Sequence, residues 1–306
     1  MAQAVTVYRW DEPGAPQILD GRPSELLNIL KKCLVEGFGT RAPLGWSLLH
    51  DDLTTKVFKN NDAQGGSGGV VQFKSSDDSV GKIVYFTPAM AFVDVDNLTN
   101  AGYQKAIQPR SNWKAWFLIG TPTAFYFIQG EASSILAQYD TRRDDTIFVG
   151  DFKAYTSGDA GRFIAISGGH QKSITTSSIA SWPYGFERAL CGYSGDYAAI
   201  KLYAIDGAPT VKDHLIKAPY LHDATDAPQE LTTLCYQPIH IRLPSHDADK
   251  AKNNFLRGEL PGLLAPIAPY QATEQWPHEE VINGTRYLAV RAVTRAVKFY
   301  INLESW

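Results

Sequence analysis

The sequence predicts a mainly β protein, with mixed antiparallel sheets or a β-sandwich, one N-terminal amphipathic helix and long loops. Three observations predict it. Runs of β-branched and aromatic residues recur along the chain, and Gly, Pro, Asn or Asp flank most of them. Clear helical periodicity occurs once, near the start. Aromatic residues are abundant, with 7 Trp, 15 Tyr and 14 Phe beside 25 Gly and 17 Pro, which is a composition of strands and turns.

Taken in order, Val5 to Trp10 alternates around Val5 and Val7 and reads as a strand. Residues 24–36 read as the helix, because Leu26, Leu27, Leu30, Cys33 and Leu34 share one face. Pro23 and Ser24 suit its first turn and Gly37 its stop. Strands are expected at Thr55–Lys59, Val70–Lys74 and Lys82–Phe86. Ala115 to Ile119 and Phe125 to Ile128 stay apolar without alternation, as strands covered on both faces do. The Gly120-Thr121-Pro122-Thr123 spacer joins these two runs into a hairpin from Trp113 to Gln129. Further strands are expected at Thr146–Phe152, Arg162–Ser167, Ala198–Ala204, His240–Leu243 and Arg286–Val293. Gly65 to Gly69 reads as a flexible loop tip, and Lys172 to Ser181 as a Ser/Thr-rich loop. Residues 206–233 and 245–280 are Pro/Asp/His-rich and read as long connections. Residues 1–306 form one structural unit, with a weak break near 155–161 or 206–213.

Composition bounds the function. Hydrophobic residues make up 44% of the chain, enough for a sizeable core. A net charge of −3 gives no strong nucleic-acid signal. No run of about 18 apolar residues exists, so no membrane span is expected, and the first residues lack the pattern of a signal peptide. The odd, dispersed set Cys33, Cys191 and Cys235 reads as buried free thiols from a reducing cytoplasm. An intersubunit disulfide is the less favoured reading.

The candidate chemistry is thin. Gly65 to Gly69 lacks the following helix and the Gly-Lys-Ser/Thr of a phosphate loop. Gly192-Tyr193-Ser194-Gly195-Asp196 breaks the nucleophile-elbow pattern at its last position. His214, His222, His240 and His246 share one polar region, but no histidine pair has helical metal-ligand spacing. Asp51-Asp52, Asp77-Asp78 and Asp144-Asp145 read as turn formers. Asp94 and Asp96 share a face of an extended segment, but no further oxygen ligands follow at suitable spacing. No catalytic residue, cofactor or metal is therefore expected. Partner contact is assigned to Arg257, within a turn-like Arg257-Gly258-Glu259-Leu260-Pro261-Gly262-Leu263 block. It is also assigned to Trp182 and Tyr184 of Trp182-Pro183-Tyr184 and to Trp276 of Trp276-Pro277-His278. A local turn anchor for Arg257, and a core role for the aromatics, are the plainer alternatives.

Several blocks resemble a family of uncharacterised virion proteins of tailed bacteriophages. They are Tyr8-Arg9-Trp10-Asp11 with Ala15-Pro16, Leu34-Val35-Glu36-Gly37-Phe38-Gly39, and Pro43-Leu44-Gly45-Trp46. Trp116 to Gly120, then Phe148-Val149-Gly150-Asp151-Phe152 with Gly158-Asp159, follow in the same order. Arg257 to Leu263, Arg286 to Val290 and Ile301-Asn302-Leu303 complete the series, which spans almost the whole chain. The resemblance implies a structural virion component made in the bacterial host cytoplasm, with other virion proteins as partners, and it transfers no catalytic residues. A neck, collar or head-surface protein in a symmetric homo-oligomeric ring is the leading expectation. A glycan-binding tail-tip or baseplate protein is the alternative, and a polysaccharide-degrading enzyme ranks last.

Overall fold

The computed structural model describes residues 2–131, 134–135, 144–167, 198–209, 211–216, 236–242, 256–266, 274–290 and 299–306. The chain is mainly β, with several antiparallel sheets and, among the described residues, a single α-helix. Three layers stack, and the middle one is a five-stranded sheet. Its order is Thr6–Arg9, Ala115–Gly120, Ala124–Gly130, Asp144–Asp151 and Phe163–Ile166.

The apolar runs explain why this sheet lies in the middle. Side chains alternate across a strand, so a run with no polar positions must be covered twice. Phe117, Ile119, Tyr126, Ile128 and Phe148 face one core, while Trp116, Leu118, Phe125, Phe127 and Ile147 face another. The expected hairpin is present, with Tyr126 paired to Ile119 and Phe127 to Leu118. Burying each such side chain contributes about 1.5–3 kcal/mol before the entropy of ordering it.

One face is covered by the helix and a second five-stranded sheet, ordered Ser47–Asp51, Thr55–Lys59, Val70–Lys74, Val84–Ala89 and Lys105–Ile107. The helix runs from Pro23 to Lys31 and continues as a wider π-turn from Lys32 to Glu36. Leu26, Leu27, Ile29, Leu30, Cys33 and Leu34 are fully buried along it. Asp78 reaches across to accept from the Ser24 amide at 2.8 Å and the Ser24 hydroxyl at 2.9 Å, satisfying a donor the first turn leaves open. Gly37 ends the helix at φ +81, where a Cβ would lie 2.4 Å from the Arg41 carbonyl oxygen. Behind the second sheet, a hairpin of Ala91–Asp94 and Asn97–Thr99 places Phe92 and Leu98 over Val57 and Val70.

The other face of the central sheet is covered by an outer sheet built from late segments. Its order is Ala198–Tyr203, Val211–Ile216, Tyr236–Arg242, Leu256–Pro266, Phe299–Asn302, Thr285–Val290 and Glu279–Ile282. Lys153–Ala154 also pairs with the strand Leu256–Pro266. Antiparallel bonds tie Gln3 to Trp306 and Val5 to Glu304.

The structure corrects several boundaries. Ser47–Asp51, Ala91–Asp94, Asn97–Thr99 and Lys105–Ile107 are strands that the periodicity does not reveal. Val211–Ile216 and Leu256–Pro266 are strands inside the stretches expected to be connections. Leu260 to Leu263 do form a local deviation, bulging out between the pairs Pro238–Leu264 and His240–Glu259. The Gly65–Gly69 loop is pinned by hydrogen bonds rather than a free tip, as its geometry shows below.

Candidate functional site

Asp151, Phe152, Gly158 and Pro261 meet at one cleft beside the end of the central sheet. The tip of the central hairpin, the glycine-rich loop, the segment after Asp151 and the indole of Trp306 border this cleft of about 500 Å³. Asp151 ends its central-sheet strand beside this cleft and is buried. Its carboxylate accepts from the Ser67 amide at 2.7 Å, the Ser67 hydroxyl at 2.6 Å and Arg162 Nε at 2.9 Å. Burial pushes the Asp151 carboxyl above the usual range, and the Ser67 and Arg162 donors oppose that shift. Arg162 also donates to the Gly65 carbonyl at 2.8 Å and to the Asp159 carbonyl at 3.1 Å.

The loop therefore cannot cradle a phosphate. An anion nest needs backbone N–H groups aimed at an open space. Here the Gly66 amide donates to the Asn61 carbonyl, Ser67 to Asp151, Gly68 to the Asn60 side chain and Gly69 to the Ser67 hydroxyl. A Cβ on Gly69 would lie 2.2 Å from the Phe163 ring, so glycine there permits the loop to close on the central sheet.

Asp159 and Arg257 form a second junction. Arg257 Nε and Nη2 each donate at 2.7 Å to the two carboxylate oxygens, and the Gly161 amide donates to Asp159 at 2.9 Å. Asp159 is fully buried and Arg257 is 6% exposed. This bidentate pair clamps the 155–161 segment onto the outer sheet. It corrects the assignment of Arg257 to a partner, since the fork of its guanidinium is spent inside its own chain.

Trp276 is corrected too. It is fully buried, stacked on Trp10 with centroids 6.2 Å apart and meeting Phe117 edge-on at 5.5 Å. Trp182 and Tyr184 lie outside the described residues, as do Gly192 to Asp196, Lys172 to Ser181, His222, His246, Cys191 and Cys235. Cys33 is a buried free thiol, and burial raises its pKa, which disfavours the reactive thiolate.

The remaining candidate carboxylates are dispersed. Asp51 binds Lys31 and Lys56. Asp52 accepts from the Thr54 and Thr55 amides. Asp96 binds Gln72 and Lys74, while Asp94 binds Asn97, so the two do not converge on one ion. His240 pairs with the Tyr155 hydroxyl at 2.9 Å, and that hydroxyl donates to Glu259, which also binds Lys153. Partial desolvation of this half-exposed side chain, and then its hydrogen bond to Glu259, push the Tyr155 hydroxyl up to about 12.

Sequence reading missed one further group. Glu274, His278 and Glu280 bring a ligand atom each to within 4.8 Å of one another. The i, i+2 spacing of His278 and Glu280 on an extended segment was the available signal, since it puts both on one face. Compared with known protein families and with curated proteins, the chain matches none.

Proposed function

We propose that this protein is a structural component of a tailed-phage virion, most consistent with a neck, collar or head-surface position. It would bind other virion proteins and copies of itself in a ring. The observation that carries this reading is where the resemblance blocks fall. Gly150-Asp151 binds the glycine-rich loop, and Gly158-Asp159 binds Arg257 of the Arg-Gly-Glu-Leu-Pro-Gly-Leu block. Trp116 to Gly120 lies in an inner strand of the central sheet, paired on both sides. These residues thus lock layers together instead of lining an acid–base pair. Such an interior suits a protein whose work is to hold shape while its surface is varied. Repetition in a ring would multiply modest contacts into a stable assembly. No helix among the described residues is long and apolar enough to cross a membrane.

The tail-tip reading loses one of its candidate sugar-binding aromatics, because Trp276 is buried. Mass spectrometry of purified particles tests the proposal directly, and its absence from them would overturn it. Antibody labelling in negative-stain electron microscopy tests the position. Label at the neck or on the head is the expected result, and label confined to the distal tail would replace it with host recognition.

A further inference from the structure

We propose that Glu274, His278 and Glu280 form a binding site for one divalent transition-metal ion of the Zn²⁺ type. This inference is independent of the virion reading.

Three observations carry it. The first is the donor set. One imidazole nitrogen and two carboxylate oxygens, all within 4.8 Å of one another, suit a borderline ion better than a hard one that prefers an all-oxygen shell. The second is spacing. Zn–N and Zn–O bonds of about 2.0–2.2 Å put neighbouring donors of a tetrahedron roughly 3.4 Å apart. His278 Nε2 and Glu280 Oε1 are 3.4 Å apart, which matches one edge of that figure. Glu274 must then close by at most about 1.4 Å, the 4.8 Å limit less that edge, a shift a glutamate stem allows. The third is burial. The Oε2 atom of Glu274 is sealed from solvent, while His278 and Glu280 are partly exposed. The site therefore has a protected side and an open one, as a three-ligand ion with water in its fourth position requires.

The backbone holds two of the ligands in place. Glu280 lies in the edge strand Glu279–Ile282, and the His278 carbonyl accepts from the Ala289 amide at 2.9 Å on the neighbouring strand. Glu274 precedes the short strand Gln275–Trp276, whose tryptophan is packed under Trp10. An ion bound to all three would tie the segment carrying Trp276 to the edge of the outer sheet.

The test uses the full chain after chelator treatment and dialysis. Zn²⁺ is titrated by calorimetry, and Co²⁺ is added as a spectroscopic probe. The expected result is one equivalent bound per chain, visible-region Co²⁺ absorption of a low-coordinate ion, and a rise in thermal midpoint with Zn²⁺. His278→Ala and the near-isosteric Glu280→Gln should each weaken binding by about tenfold or more. His240→Ala, which alters a histidine of the outer sheet bound to Tyr155 and remote from this group, should leave the stoichiometry at one. Failure of the unaltered chain to bind a stoichiometric ion would overturn the proposal. So would binding that survives both His278→Ala and Glu280→Gln, or that is lost in His240→Ala instead. Circular dichroism of each variant separates lost binding from lost fold, and Glu280→Gln keeps the test decisive if His278→Ala does not fold.

Discussion

The central and outer sheets share one core, yet they are built in opposite ways. The central sheet has a local heart. Ala115–Gly120 and Ala124–Gly130 are joined by three residues, and both are apolar at every described position except Gln129. The outer sheet joins strands far apart in sequence, such as Leu256–Pro266 with Lys153–Ala154 and with Phe299–Asn302. The first carries its stability in side chains buried on two faces. The second depends more on specific joints, namely the Asp159–Arg257 pair and the seat that Gly262 provides for Trp306. The difference teaches where damage should be graded and where it should be abrupt.

The largest effect is expected in the central sheet. Phe127→Ala would leave a cavity in a fully buried strand and cost about 3–5 kcal/mol, read as a fall in urea midpoint. A cost under about 1 kcal/mol would show that the sheet repacks freely, and the contrast with the outer sheet would fail. Next comes Arg257→Leu, which strands a buried Asp159 carboxylate and should cost about 3 kcal/mol. The double variant Arg257→Leu with Asp159→Leu should recover much of that loss. Additive losses would mean that the junction is packing rather than charge pairing. Gly262→Val comes third. Gly262 sits at φ +65, and an added Cβ would lie 2.1 Å from the Trp306 indole nitrogen. We expect about 2 kcal/mol of destabilisation and a red shift of tryptophan emission as that ring is displaced. An unshifted spectrum would show that the seat tolerates a side chain.

The smallest effect is a surface one and depends on pH. Hydrogen bonds from Lys31 and then Lys56 hold the Asp51 carboxyl below its ordinary 3.8. A depressed carboxyl stabilises the fold above its unfolded value and loses that contribution as pH falls through the folded one. Asp51→Asn should therefore cost about 0.5 kcal/mol at pH 7, discounted for exposure, and nothing at low pH. Paired denaturation curves at pH 7 and pH 2 check this, and equal differences at both would refute the assignment.

These contrasts also explain what was legible beforehand. The helix, the hairpin and the doubly covered strands could be read from periodicity and spacing, because their signals are local. The strand Leu256–Pro266 could not, since Pro261 and Gly262 look like a turn until the bulge opposite Ile239 is seen. Ser47–Asp51 alternates only between exposed and half-buried positions, a pattern too weak to separate from loop. For the candidate sites, sequence could single out Arg257 and the two Gly-Asp pairs but not their joining. Nor could it tell a buried tryptophan from an exposed one at Trp276, because composition is silent on which surface a side chain meets. The Glu274, His278 and Glu280 group escaped because its members meet across a segment with no helical or zinc-finger spacing.

The pairing of residues 3–5 with residues 304–306 has a kinetic consequence. Contacts between residues this far apart in sequence can form only after residues 304–306 have left the ribosome. The helix, the second sheet and the central hairpin can collapse earlier, since their partners are nearby. This is the longest-range of the closures described, and such an event slows with sequence separation. Until it happens, residues 3–5, just ahead of the edge strand Thr6–Arg9, lack their backbone partners, and that interval is when a nascent chain of this kind is most exposed to pairing with its neighbours.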